Sequence, residues 1–134
     1  HYADVPPGQA KLVTCMSGAI RDIVVDIRVD SPTFGSWEAV DLSAGSRDAV
    51  LFPVGVGHAF VALEPDTTVC YLVSDVYTPD KEHGIHPLDP ALAIDFGISA
   101  SELLLSHKDQ EAPLLQEAFE RGLLPHVDAK EPVK

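Results

Sequence analysis

Residues 49–63, AVLFPVGVGHAFVAL, decide the fold. Residues 50–52 are short, apolar and rich in side chains that suit a pleated surface. Pro53 and Gly55 break that run, and Gly57 gives a second break. From His58 the pattern alternates. His58, Phe60 and Ala62 fall on one face, and Ala59, Val61 and Leu63 on the other. The stretch therefore reads as a strand, a tight turn and a second strand, with His58 entering the sheet beside the turn. Two readings of His58 stand. It is a half-buried histidine satisfied by one backbone carbonyl, or it is one of several polar side chains that strands aim at a common point.

The same punctuation recurs on both sides of this hairpin. Residues 4–8, DVPPG, form a loop. Residues 11–16 read as a strand with Lys11, Val13 and Cys15 on one face, and Ser17-Gly18 turns the chain. Residues 19–28, AIRDIVVDIR, make the strongest strand. Ile20, Asp22, Val24, Asp26 and Arg28 share one face, and Arg21, Ile23, Val25 and Ile27 share the other. Buried carboxylates need partners, so spacing alone favours a solvated outer face for Asp22 and Asp26. Residues 30–35, DSPTFG, turn the chain; residues 37–42 alternate again, and 43–47 form a loop. Residues 68–74, TVCYLVS, place Cys70 and Leu72 on one face and Val69, Tyr71 and Val73 on the other. Residues 76–95 are proline-rich and irregular, and carry Glu82, His83 and His86.

Only near the end does the period change. Residues 113–121, PLLQEAFER, place Leu114, Leu115, Ala118 and Phe119 on one helical stripe. Pro113 suits the first turn and Gly122 the position just past the end. Residues 130–134 read as a frayed tail. Short strands at regular spacing, Gly/Pro turns and one late helix predict an all-β antiparallel sandwich or jelly roll with a short C-terminal helix. A single domain over residues 1–134 is expected.

The totals narrow the functional classes. The chain has 134 residues, of which 46% are hydrophobic and 22% charged, enough for a real core. A net charge of −12 argues against extended nucleic-acid contacts. A few local cations can still hold a small anion. No apolar run approaches a membrane span, and no signal-peptide pattern opens the chain. Cys15 and Cys70 lie in strand-like segments without CxxC spacing. They read as small buried hydrophobes, with the cytoplasm as the expected compartment. His1-Tyr2 looks like the middle of a strand, so a preceding segment is expected.

The candidates for chemistry are His1, Lys11, Asp22, Asp26, His58, Tyr71, Glu82 and Asp109. A jelly roll narrows to a mouth lined by inward-facing strand residues, and ligands bind there. A lysine in such a mouth suits an oxyanion, a histidine takes a proton near neutral pH, and a tyrosine returns one. The closely spaced His-x-His followed by Glu that serves many jelly-roll metal sites is missing, so no metal is expected. Serine and cysteine nucleophile signatures are missing too. On spacing alone the chain is a small-ligand β-barrel suited to acid–base chemistry.

Three blocks go further. KLVTCMSGAIRDIVVDIRVDSPTFGSW (11–37), LFPVGVGHAFVAL (51–63) and SHKDQEAPLL (106–115) resemble, in order and spacing, the dTDP-4-dehydrorhamnose 3,5-epimerase family. The resemblance runs from His1 to about Leu124. It implies a cupin-type jelly roll, a homodimer, no cofactor or metal, and epimerisation of a dTDP-4-keto-6-deoxyhexose at C3, C5 or both. By position it makes His1 the general base, Asp109 the carboxylate that orients it, and Tyr71 the general acid on the opposite face of the sugar. Lys11 and His58 match residues near the keto oxygen, and Glu82 one near the nucleotide end. Lys108, beside Asp109, joins the substrate-binding set. The expected preceding segment would supply an arginine just before His1 and nucleotide contacts, in part across the dimer.

The chain also departs from the rhamnose-pathway pattern. Val76 stands where a second tyrosine is frequent, just before Tyr77, and Pro87 and Phe96 stand where tryptophans are frequent. These positions are expected around the sugar and nucleotide. GVGHAFVALEPDT and HPLDPALAID resemble the branch that makes antibiotic deoxysugars, where some enzymes act at one carbon only. Two other readings remain open: a cupin that binds a nucleotide sugar without catalysis, and a metal-dependent cupin enzyme.

Overall fold

The computed structural model describes residues 1–126, so the tail expected at 130–134 lies outside the described residues. The strands are β1 (Tyr2–Ala3), β2 (Lys11–Ser17), β3 (Ala19–Asp26), β4 (Trp37–Ser43), β5 (Ala49–Phe52), β6 (Val56–Ala62), β7 (Thr68–Val73) and β8 (Glu82–His83). Two short helices follow, α1 (His107–Gln110) and α2 (Leu115–Glu120). One sheet has the order β5-β2-β7 and a second the order β4-β3-β6; β1 pairs with β8. Every recorded pairing is antiparallel. This is the jelly-roll arrangement that the turn spacing predicts.

The alternation in each strand divides the core in two. Val13, Cys15, Ile20, Leu42 and Phe52 fill the space between the two sheets. Ile23 and Val25, on the other face of β3, and Ile27 just past its end pack under Tyr2, Leu92, Phe96, Leu115, Ala118 and Leu124. The central strand β3 is thus covered on both faces, and this corrects the expectation for its acids. Asp22 is 1% exposed and Asp26 8% exposed, not solvated. Each has a partner that spacing could not reveal, as described below.

Other local expectations also meet corrections. Gly57 does not break the strand. It sits inside β6 opposite Val25. Gly55 does turn the chain, at φ +84°. Pro113 lies outside α2, whose first residue is Leu115. The buried Asp89 accepts the Leu115 amide at 2.7 Å and so satisfies the first amide of the helix. Leu115 and Ala118 are buried, whereas Leu114 and Phe119 stay partly exposed. Gly122 takes φ +65° just past the helix, as its position predicts. Cys15 is buried, but Cys70 is exposed. Cys70 shares the outer face of β7 with Leu72, and nothing among the described residues covers that face. Phe96 belongs to the core under β3.

Strand β3 ends at Asp26 because that carboxylate gathers the next turn around itself. It accepts from the Arg28 amide at 3.1 Å, Arg28 Nε and Nη2 at 2.8 Å each, Ser31 Oγ at 2.5 Å and Thr33 Oγ1 at 2.6 Å. Burial alone would raise its pKa, but the bonds from Arg28, Ser31 and Thr33 outweigh it and hold the carboxyl well below the usual carboxylate range. A depressed folded pKa means stability that is present above the unfolded value of about 4 and is lost as the pH falls below it. Asp26→Asn is expected to cost roughly 2–4 kcal/mol in urea unfolding at pH 7, because it strands the Arg28 charge and weakens all five hydrogen bonds. The deficit should shrink as the pH drops below about 4. A loss under about 0.5 kcal/mol would contradict this role for the turn.

Candidate active site

The hairpin expected over residues 49–63 does not form: the turn at Gly55 carries the chain from one sheet to the other, so β5 pairs with β2 and β6 with β3. Strand β6, with the short β1, builds one wall of the site. The His1 nitrogen donates to the His58 carbonyl at 3.0 Å, and the His58 amide donates to the His1 carbonyl at 2.9 Å. Residues that exchange both bonds are direct cross-strand partners, so their side chains project to the same side. Tyr2, one residue on, must point the other way. It enters the core under β3, where its hydroxyl donates to the Leu123 carbonyl at 3.1 Å. Burial pushes the Tyr2 pKa up to about 12, with Asp4 adding to the effect, so Tyr2 stays a neutral anchor. Seating Tyr2 therefore fixes where His1 stands.

Both histidines of this wall meet carboxylates. His1 Nε2 lies 2.6 Å from Asp109 Oδ1. Asp109 is set at the start of α1, where Ser106 caps the helix by accepting the Asp109 amide at 3.1 Å. The Ser106 hydroxyl also donates to Asp109 Oδ2 at 2.7 Å. Burial opposes the charge on Asp109, but the bonds from Ser106 and His1 outweigh it and hold its pKa below the ordinary value. A carboxylate so held remains an anion and can steady a positive imidazole. His58 Nε2 lies 2.5 Å from Asp22 Oδ1, reached from the neighbouring strand β3. The His58 ring packs on Phe52 with centroids 4.7 Å apart.

The facing sheet supplies the other wall. Lys11 opposes Phe52 and Val73, and Val13 opposes Tyr71. Val13 is fully buried between the sheets, so Lys11 and Tyr71 project from the same inner face. Burial lowers the Lys11 pKa, and the charge of Glu82 partly restores it. Glu82 lies on β8 opposite Ala3, and its Oε1 accepts from Gln9 Nε2 at 3.5 Å. Tyr71 is partly exposed on the edge strand β7. Lys108 is exposed on α1 beside Asp109.

The structure thus brings His1 to Asp109 and makes His1 and His58 neighbours. It sets Lys11 and Tyr71 on the opposing sheet. Asp26 serves the turn after β3 and not the site. Val76 and Tyr77 are exposed. Sequence reasoning missed one contributor and one pairing. Ser106 was readable as the cap of an S-x-x-D start. Asp22 was noticed, but its partnership with His58 is a cross-strand relation that no local spacing encodes. Among the described residues, no three His, Cys, Asp or Glu side chains converge in a way that could hold a metal ion.

An imidazole–carboxylate dyad beside one sheet, with an ammonium and a phenol on the inner face of the other, gives this jelly roll a set of side chains suited to acid–base chemistry. The comparisons agree with that class. The sequence model of the dTDP-4-dehydrorhamnose 3,5-epimerase family matches residues 1–117, and the chain belongs to that family. It is 55% identical over 125 residues to a dTDP-4-dehydrorhamnose 3-epimerase of Streptomyces niveus, a match covering 93% of this chain and 59% of that one. Its fold matches the crystal structure of NovW, a 4-keto-6-deoxy sugar epimerase from the novobiocin cluster of Streptomyces spheroides. The TM-score is 0.90 at 54% identity, over 94% of this chain and 62% of that one. It also matches ChmJ, a 3′-monoepimerase of Streptomyces bikiniensis in complex with dTDP-quinovose. There the TM-score is 0.88 at 47% identity, over 93% and 63%. The chain therefore spans about three-fifths of the length of these relatives.

Proposed function

We propose that the protein inverts a dTDP-4-keto-6-deoxyhexose at C3, C5 or both, by removing the hydrogen next to the C4 ketone and returning one to the opposite face. The observation that carries this reading is the His1–Asp109 dyad at 2.6 Å beside β6 of one sheet, with Tyr71 on the inner face of the other. Nε2 of His1 is committed to Asp109, which leaves Nδ1 to take the proton. Such a hydrogen is acidic enough to remove only if the enolate oxygen is stabilised as it forms. Lys11, and His58 across the interior from it, are the groups for that oxygen. Tyr71 delivers a proton from the far side, which inverts the centre. Glu82 lies where it balances the Lys11 charge, and Lys108 beside Asp109 is available to the substrate's phosphates.

Relatives at comparable identity include enzymes named for C3 alone and a family named for C3 and C5. Both outcomes fall within this reading. The homodimer belongs to it as well: Leu12 on β2 opposes Leu51 and Leu72, and this row is exposed on the outer face, where a second copy would cover it. Two free cysteines fit a reducing compartment such as the cytoplasm. No helix among the described residues is long and apolar enough to cross a membrane.

The test is incubation with dTDP-4-keto-6-deoxyglucose in deuterated water, followed by mass spectrometry. One or two deuterons per sugar are expected, and their number counts the centres. A sugar that binds and gains no label would leave a binding protein without catalysis. Label that appears only when a metal is added would favour a metal-dependent enzyme.

A further inference from the structure

The site holds two histidine–carboxylate dyads on neighbouring strands, and they differ in access to water. The side chains of His1 and Asp109 are 39% and 27% exposed; those of His58 and Asp22 are 9% and 0% exposed. The open dyad can exchange protons with its surroundings. The sealed one cannot do so through its carboxylate. Asp22 Oδ2 is the one sealed side-chain polar atom among the described residues that has no hydrogen-bond partner. The imidazole of His58 is its only recorded side-chain partner. His58 Nδ1, in contrast, has no partner among the described residues, yet it is not among the sealed atoms, so it keeps access to solvent or to a ligand.

A carboxylate in this setting costs least when the pair carries no net charge. Two proton arrangements achieve that: carboxylate with imidazolium, or carboxylic acid with neutral imidazole accepting at Nε2. Both place a proton on Nδ1. The third arrangement, a carboxylate beside a neutral ring protonated only at Nε2, leaves a bare anion in the interior. We infer that Asp22 is a positioning residue, which keeps His58 Nδ1 a permanent N–H donor aimed at the substrate's ketone oxygen.

This inference rests on the epimerase reading and adds a division of labour to it. The dyad open to water moves protons, and the sealed dyad holds one still. A donor that keeps its proton can follow the charge growing on the enolate oxygen without competing with His1 for the substrate's hydrogen. The ring is also locked in place, by Asp22 at one edge and Phe52 against its face.

Two measurements on the intact protein test it. Nitrogen-15 NMR of histidine-labelled wild-type protein should show His58 Nδ1 protonated in the absence of ligand at pH 7–8. An unprotonated Nδ1 overturns the inference whatever the activity. Asp22→Asn keeps the shape of the side chain and removes the need for the second ring proton. It is expected to lower kcat about 100-fold, the scale of one lost oxyanion donor, with KM changed less than about threefold. The Nδ1 proton signal should be lost. Activity within about threefold of wild type would overturn the inference and leave the epimerase reading standing. An inactive wild type would overturn that reading instead. Should the variant fail to fold, the wild-type spectrum alone decides.

Discussion

His1→Asn is expected to lower kcat by about three to four orders of magnitude, at the upper end of what one positioned base supplies. That corresponds to about 4–5.5 kcal/mol of lost transition-state stabilisation. The argument begins with β1, a strand of two residues held by β8, the buried Tyr2 and the two bonds between His1 and His58. None of these anchors uses the imidazole, so the variant should fold and bind dTDP as the wild type does. It loses the atom that takes the proton, and no other group among the described residues stands with an oriented carboxylate on that wall and open to water. A loss of less than tenfold would contradict the assignment of the base.

The second large effect is expected for Tyr71→Phe, which should remove inversion while dTDP affinity changes little. The phenol lies on β7, opposite Val13, on the sheet that faces the histidines. Its ring fills the same space in the variant, so packing and binding survive, and only the proton is missing. Undiminished inversion would remove Tyr71 from the mechanism.

Much of this was legible in the sequence, because the fold is written in period two. The alternation of residues 19–28 and 58–63 fixed which side chains share a face, and the register of β3 against β6 follows it, although the hairpin expected at 49–63 is a crossing between sheets. The Pro/Gly turns marked nearly every strand end. What local spacing could not supply was the covering of each face. Asp22 and Asp26 read as solvated because nothing nearby in sequence announces that the sheet β5-β2-β7 covers their face of β3, or that His58 arrives from β6. Cys70 failed in the opposite sense: its strand alternates correctly, but its outer face has no cover among the described residues. Phe96 occupies a position expected near the sugar, and its side chain belongs to the core. In the site, the order of the residues came from the resemblance, and their pairing came from the folded geometry. The bond from His1 to Asp109 spans nearly the whole chain and has no local signature.

The most direct test compares wild type and Tyr71→Phe in deuterated water, with both the label and the configuration of the recovered sugar measured. If the imidazole works from one side and the phenol from the other, the variant should still exchange the hydrogen next to the ketone, because the half-exposed His1 can trade its proton with solvent and hand it back. The configuration should be retained. Inversion by the variant at the wild-type rate, or loss of exchange together with inversion, would contradict the two-sided arrangement.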